Sequence, residues 1–193
     1  MTVSVTQIRP SRRVTISESA HSHGAFSYLA MGDLSRRTVV LIHGFGADLL
    51  TWQLCLVPLA SHYRVIAIDL PGHGRTQGDV GTADLPFMTA WLDEALDRLD
   101  VARGHLVGHS MGAKIALGFA LSHPHRVESL GLISPAGLGG EFHHDKLDAF
   151  LDAPSAESAE TLAGHLLGPK GESLMPGLVA SLLTAASDSR QDG

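Results

Sequence analysis

The sequence has little cysteine, few aromatic side chains and no long apolar run. Cys55 is the single cysteine among 193 residues, which excludes an intrachain disulfide and indicates a reducing compartment. No apolar run reaches the roughly 20 residues that a transmembrane helix needs. Residues 1–13 also lack the apolar core of a signal peptide. These absences predict a soluble, cytoplasmic protein with no membrane partner.

Positive charge is scarce as well. The chain carries 14 Lys and Arg against 20 Asp and Glu, giving a formal net charge of -6 at pH 7. Such a balance disfavours binding to phosphate backbones, so a nucleic-acid partner is not expected. With 44% hydrophobic and 18% charged residues, the composition is that of a globular domain large enough to bury a core.

Apolar runs rich in β-branched residues alternate with helical patterns along the first 140 residues. Strands are predicted at Thr38–His43, Tyr63–Asp69, Gly104–His109 and Val127–Ser134, the first two of them buried, with helices at Asp48–His62, Asp84–Leu99 and Lys114–Ser122. Two earlier strands, at Arg13–Glu18 and Ala25–Ala30, follow each other without a helix. This order predicts an α/β fold with a mostly parallel sheet flanked by helices and an antiparallel edge.

The pattern changes after residue 140, where no strand is predicted. Three helices are predicted instead, at Lys146–Ala153, Ala156–Leu167 and Ser173–Ser187. We therefore expect a core over residues 1–140 and a helical lid or cap over residues 141–193, inserted after the sixth strand.

The histidines do not have the spacing of a metal site. His143, His144 and His165 match no strong zinc motif. His21 and His23 are predicted to be solvent-facing turn residues. No glycine-rich stretch forms G-x-G-x-x-G after a strand, so neither a metal nor a nucleotide cofactor is expected.

One motif carries chemistry, Gly108-His-Ser-Met-Gly112, which follows a predicted strand and precedes a predicted helix. A turn this tight forces Ser110 to a positive φ and crowds the positions two residues before and after it, which explains Gly108 and Gly112. The turn also holds the hydroxyl at the positive end of the next helix. A G-x-S-x-G can be an incidental turn, but the flanking strand and helix favour Ser110 as a nucleophile.

Three motifs together resemble the α/β-hydrolase fold superfamily, over about residues 12 to 140. They are Leu41-Ile-His-Gly-Phe-Gly46, Asp69-Leu-Pro-Gly-His-Gly74 and Gly108-His-Ser-Met-Gly112. Within this region, Leu106–Gly140, including Ser134-Pro-Ala-Gly-Leu-Gly139, is most similar to the α/β-hydrolase domain of acetoin dehydrogenase E2 (dihydrolipoamide acetyltransferase) subunits.

The resemblance implies a small-molecule acyl substrate and an acyl-enzyme on Ser110. It also implies an oxyanion hole made by the backbone N–H groups of Met111 and Phe45. The supporting residues are then His43, Gly44, Gly108, His109 and Gly112. A base role for His43 or His109 is the less favoured alternative, because His43 is expected to brace its loop and His109 to point away from the nucleophile.

The sequence departs from the family in its triad. The order in this fold is Ser, then an acid, then His, and each partner follows a later strand. Two further strands with their helices need about 50 residues, whereas only the predicted lid follows Ser134. The acidic and histidine residues of the lid, interpreted as solvated, are Glu141, His143, His144, Asp145 and His165. We therefore expect a chain truncated before the C-terminal strands, without a complete triad.

Three functions stay open. The leading one is a serine hydrolase acting on an ester, thioester or similar acyl bond. The second is an E2-like acyltransferase of an acetoin dehydrogenase complex, with other components of that complex, or a second copy of the chain, as partner. The third is a non-catalytic module that keeps the fold, because fold alone does not imply function.

Overall fold

The computed structural model describes residues 16–76 and 80–138. The predicted lid lies outside these ranges, as do the acid and base candidates, so the division at residue 140 stays a prediction. Among the described helices, none has the length and apolar character needed to cross a membrane.

Six strands form one sheet with the order β1-β2-β4-β3-β5-β6. They are β1 (Ile16–Ser19), β2 (Phe26–Met31), β3 (Thr38–Ile42), β4 (Arg64–Ile68), β5 (Gly104–His109) and β6 (Val127–Ile133). The pairs β1–β2 and β2–β4 are antiparallel, whereas β4, β3, β5 and β6 run parallel. The mostly parallel sheet with an antiparallel edge is therefore confirmed.

The helices lie where the sequence predicts them, but their bounds differ, most of all at the starts of the first and third. They are α1 (Gln53–Ala60), α2 (Leu85–Arg98) and α3 (Met111–Ser122). A 3-10 helix, Leu49–Trp52, replaces the start of the first predicted helix. Its Thr51 N–H donates to the Asp48 carbonyl three residues earlier at 3.1 Å, and the Asp48 side chain caps it by accepting from Leu50 N–H at 2.8 Å. The third helix begins at Met111 rather than Lys114, directly after Ser110.

Hydrophobic cores lie on both faces of the sheet because strand side chains alternate between the faces. The core under α2 and α3 contains strand residues Val40, Ile42, Ile66, Ile68 and Leu106. The core under α1 contains Val39, Leu41, Val65 and Ala67 with Trp52 and Leu56. The face predicted for α2 is buried as expected, at Met88, Trp91, Ala95 and Leu99.

The turn before β2 differs from its prediction. His23 is exposed, but His21 is buried. The His21 ring stacks on Trp91 with a centroid distance of 5.0 Å, and its Nε2 lies 3.0 Å from the Trp91 carbonyl oxygen. The prediction of a solvent-facing His21 was wrong because the turn folds back onto α2, a long-range contact that local sequence does not encode.

Candidate active site

The carboxyl ends of β3, β4, β5 and β6 meet at one edge of the sheet because these strands are parallel. The residues that follow them include His43, Asp69, Ser110 and Ser134. Ligands bind outside this edge in open α/β sheets. These four positions therefore mark the candidate site.

Ser110 lies between the last residue of β5 and the first residue of α3, with φ 51° and ψ -113°. A positive φ is uncommon outside glycine, and it is the backbone conformation that the motif predicts. The Ser110 N–H donates to the Ile133 carbonyl at 3.0 Å, and the Ser110 carbonyl accepts from Ala136 N–H at 3.1 Å. The strained residue is thus held from both sides by the end of β6 and the loop after it.

The two glycines of the motif have no room for a side chain. A Cβ on Gly108 would lie 2.4 Å from the carbonyl carbon and oxygen of Gly112. A Cβ on Gly112 would lie 2.3 Å from the Ile42 carbonyl oxygen and 2.4 Å from that of His43. These are backbone atoms of neighbouring elements, so α3 packs closely against β5 and β3 only because both positions are glycine.

The first turn of α3 faces the same region. Met111 is the first residue of α3, so its N–H has no intrahelical acceptor. Helix N-termini carry a partial positive charge that favours a developing anion. Phe45, the other predicted donor, is 40% exposed, and its ring lies edge-on to His73 at 5.5 Å. The convergence of the Phe45 and Met111 N–H groups stays a prediction.

His43 is fully buried, and both of its ring nitrogens have partners. Nδ1 lies 2.7 Å from the Gly44 carbonyl oxygen, and Nε2 accepts from Leu70 N–H at 3.0 Å. This pairing fixes a neutral ring with the proton on Nδ1. Burial lowers the pKa of His43 to about 4, helped by the nearby His73 and His109 and opposed by the Gly44 carbonyl. The geometry favours a brace between the loops after β3 and β4 rather than a base.

Gly44 brings the loop after β3 against Ser110. A Cβ at this position would lie 3.2 Å from the Ser110 Cβ and 2.9 Å from His109 Nδ1. His109 Nδ1 is itself buried without a hydrogen-bond partner in the described part of the chain. Within the same part, no histidine is hydrogen-bonded to the Ser110 hydroxyl, so a base for Ser110 is not identified there.

Asp69 connects two loops at this edge. Its Oδ1 accepts from Leu49 N–H at 2.7 Å, and its Oδ2 accepts from Arg75 N–H at 3.0 Å. Burial raises the pKa of Asp69, while the two backbone donors oppose the shift. The bond to Leu49 is not visible in the local sequence, because Leu49 lies 20 residues away in the chain.

Ser134 also has a positive φ, 43°, at the end of β6, and it is exposed. It was not among the predicted site residues, although its place at the carboxyl end of a predicted strand was visible in the sequence. No group of three or more potential ligand residues within 16–76 and 80–138 has the arrangement of a metal site.

Comparison with known proteins places this geometry in a family. The family model described as the alpha/beta hydrolase fold matches residues 37–185. The dihydrolipoyllysine-residue acetyltransferase component of the acetoin cleaving system from Cupriavidus necator is 37% identical over 134 residues, covering 69% of this chain and 36% of the relative. The protein of the same name from Pseudomonas putida is 41% identical over 126 residues, covering 65% and 34%.

The chain thus spans about a third of the length of these two relatives. Their similarity confirms the resemblance to acetoin E2 components. The solved structure of naproxen esterase (carboxylesterase NP) from Bacillus subtilis has a TM-score of 0.81 at 23% identity, covering 91% of this chain and 61% of that chain. At this identity, the likeness shows the fold alone. Because the family model covers well over half of the sequence, the chain belongs to the alpha/beta hydrolase fold family.

Proposed function

We propose that the protein cleaves an ester, thioester or similar acyl bond of a small molecule through a covalent acyl group on Ser110. The observation that carries this proposal is the backbone of Ser110. Ser110 has a φ of 51°, which is strained for a residue other than glycine, and it lies at a strand-to-helix turn between two glycines that leave no room for a side chain. Such strain persists where a function requires a fixed side chain.

The chemistry follows from the position of the hydroxyl. Ser110 Oγ attacks the carbonyl carbon of the substrate and gives its proton to a base, while the carbonyl oxygen gains the electron pair and becomes an oxyanion. The N–H groups of Met111 and Phe45 would donate hydrogen bonds to that oxyanion. Collapse of the intermediate expels the leaving group, which takes the proton back from the base as the free alcohol or thiol. Water then attacks the acyl group as the base takes a proton from it, and the base returns that proton to Ser110 Oγ as the acid leaves.

His43 and Asp69 would act through the loops that they hold. His43 links Gly44 to Leu70, and Asp69 links Leu49 to Arg75. Gly44 precedes the proposed donor Phe45 and lies against Ser110. A fixed loop keeps a backbone donor aimed at the oxyanion without reorganisation during the reaction, which is the main source of its effect. Both residues are therefore proposed as positioning residues.

An acyltransferase is the second candidate, and the names of the two acetoin-system relatives favour it. The same acyl group on Ser110 would then pass to a thiol instead of water, within a multienzyme complex. The two candidates differ only in the acceptor. Adding dihydrolipoamide to a turnover assay separates them, because an acyltransferase yields S-acyl dihydrolipoamide faster than free acid.

Hydrolysis of 4-nitrophenyl acetate tests the shared step. The proposal requires a base for Ser110, and with that base in place we expect Ser110→Ala to lower kcat/KM at least about 100-fold. Ser122→Ala is the matched control, since Ser122 lies at the far end of the same helix and donates to the Gly118 carbonyl at 3.0 Å. Equal rates for Ser110→Ala and the unmodified protein would reject the serine mechanism and favour a non-catalytic module.

A further inference from the structure

The strand register puts Ser134 beside Ser110. The ladder between β5 and β6 ends with the pair of residues just before these two serines. Beyond it, Ser110 N–H bonds to the Ile133 carbonyl at 3.0 Å and the Ser110 carbonyl bonds to Ala136 N–H at 3.1 Å. A regular parallel ladder would use the N–H of residue 135, but Pro135 has none. The two bonds therefore bracket Ser134, at the interstrand spacing of about 4.8 Å.

Ser134, like Ser110, has a positive φ. Among the described residues, positive φ outside glycine occurs at Ala83, Asp100, Ser110 and Ser134. Ala83 and Asp100 lie in the turns on either side of α2, whereas the two serines end adjacent parallel strands. Strained residues of this kind concentrate at functional sites. Ser134 is exposed, so burial in the core does not account for its conformation.

The loop after Ser134 offers no other side-chain hydrogen-bonding group up to the end of the second described range. Residues 135–138 are Pro, Ala, Gly and Leu. Leu138 is 62% exposed, and a Cβ on Gly137 would be in ordinary contact with the Lys114 side chain at 3.8 Å. Among residues 134–138, Ser134 is thus the residue with a polar side chain. Its hydroxyl can both donate and accept a hydrogen bond.

We propose that Ser134 is a substrate-binding residue whose hydroxyl forms a hydrogen bond with an oxygen of the acyl group held on Ser110. The site then prefers acyl groups that carry an oxygen close to the carbonyl carbon over plain alkyl groups of the same shape. This inference rests on the proposed function of Ser110. A site with a polar group facing the substrate discriminates against an analogue that lacks the partner.

Two isosteric esters test the preference, 4-nitrophenyl methoxyacetate and 4-nitrophenyl butyrate, which differ by one oxygen in place of a methylene. The measured quantity is the ratio of their kcat/KM values, which removes effects common to both esters. We expect Ser134→Ala and Ser134→Gly each to lower this ratio about fivefold, the effect of one lost hydrogen bond. The glycine variant also relieves the backbone strain, so it separates the hydroxyl from the backbone conformation.

Asp100→Gly is the matched control. Asp100 has φ 53° and precedes β5 at the opposite end of the sheet, so this change relieves similar strain away from the site. Its ester ratio should equal that of the unmodified protein. An unchanged ratio in Ser134→Ala or Ser134→Gly, with hydrolysis of both esters still dependent on Ser110, overturns the role of Ser134 and leaves the proposed function standing. Absence of Ser110-dependent hydrolysis of both esters overturns both.

Discussion

At the residue scale, the candidate site depends on positions where a single Cβ does not fit. Gly112 is the tightest of these, because its neighbours are the carbonyl groups of Ile42 and His43 rather than flexible side chains. A side chain there must push α3 away from β3. Such a displacement of α3 would disturb both the packing of the helix on the sheet and the turn that holds Ser110.

We expect Gly112→Ala to lower the free energy of unfolding by about 3 kcal/mol or more, the upper range for overpacking. Urea denaturation measures it. Gly118→Ala is the control on the same helix, because a Cβ there would meet the movable end of Leu85 at 2.9 Å. A stability loss in Gly112→Ala no larger than that in Gly118→Ala would contradict the close packing described at Gly112.

His43 makes stability depend on pH. Its folded-state pKa of about 4 lies below the ordinary value of 6.5, so the unfolded state binds more protons between these values. The free energy of unfolding therefore has its full His43 contribution above pH 6.5 and loses it as the pH falls toward 4. Each unit of pKa shift corresponds to about 1.4 kcal/mol, so the total is a few kcal/mol.

Urea denaturation at pH 7 and pH 5 measures this effect. His43→Asn should be less stable than the unmodified protein at pH 7 and should lose less stability between pH 7 and pH 5. The exposed His62→Asn is the control and should keep the original pH dependence. The same pH dependence in His43→Asn and in the unmodified protein would show that His43 is not the titrating group.

At the element scale, periodicity predicted the elements of the described core but not how their ends connect. Apolar runs placed β3 to β6, and the buried face of α2 followed from helical spacing. The burial of His21 against Trp91 and the Asp69 bond to Leu49 were missed, because both join segments that are distant in sequence. Such contacts depend on topology, which a local pattern does not contain.

Arg126 is another long-range connection, between α2 and the start of β6. Its buried guanidinium donates to the Val101 carbonyl at 2.8 Å and lies 2.7 Å from an Asp97 carboxylate oxygen, with Asp93 as a further partner. Hydrogen bonds to a buried charge are worth more than neutral ones. Loss of the guanidinium also leaves a buried carbonyl unsatisfied.

We expect Arg126→Leu to lower the free energy of unfolding by about 2 kcal/mol, measured by urea denaturation. Arg98→Leu is the matched control. Arg98 and Glu94 both lie on α2 and pair at 3.2 Å, but the Arg98 side chain is 52% exposed. Its loss should therefore lower the free energy of unfolding by about 0.5 kcal/mol or less. Similar decreases in the free energy of unfolding in the two variants would contradict a larger stabilising contribution from the buried Arg126.

At the scale of the whole molecule, the sequence predicted the family and the sheet. The oxyanion hole and the acyl group on Ser110, which it also predicted, remain predictions. The G-x-S-x-G turn is specific because its two glycines are forced by close packing of α3 on β5 and β3. No local sequence pattern in residues 16–138 identifies the acid and base of a triad, because such residues are brought to the serine only by the tertiary structure. The same holds for Ser134. The sequence shows that it follows a strand, but it does not show that it lies next to Ser110.

The central claim is that Ser110 is a nucleophile, and covalent labelling tests it most directly. A fluorophosphonate reacts with an activated serine and adds one phosphonyl group, detected by intact mass and located by peptide sequencing. We predict a single adduct on Ser110, absent from Ser110→Ala and retained in Ser122→Ala. Labelling spread over several serines, or an unmodified Ser110 under conditions that label a control serine hydrolase, would contradict the account.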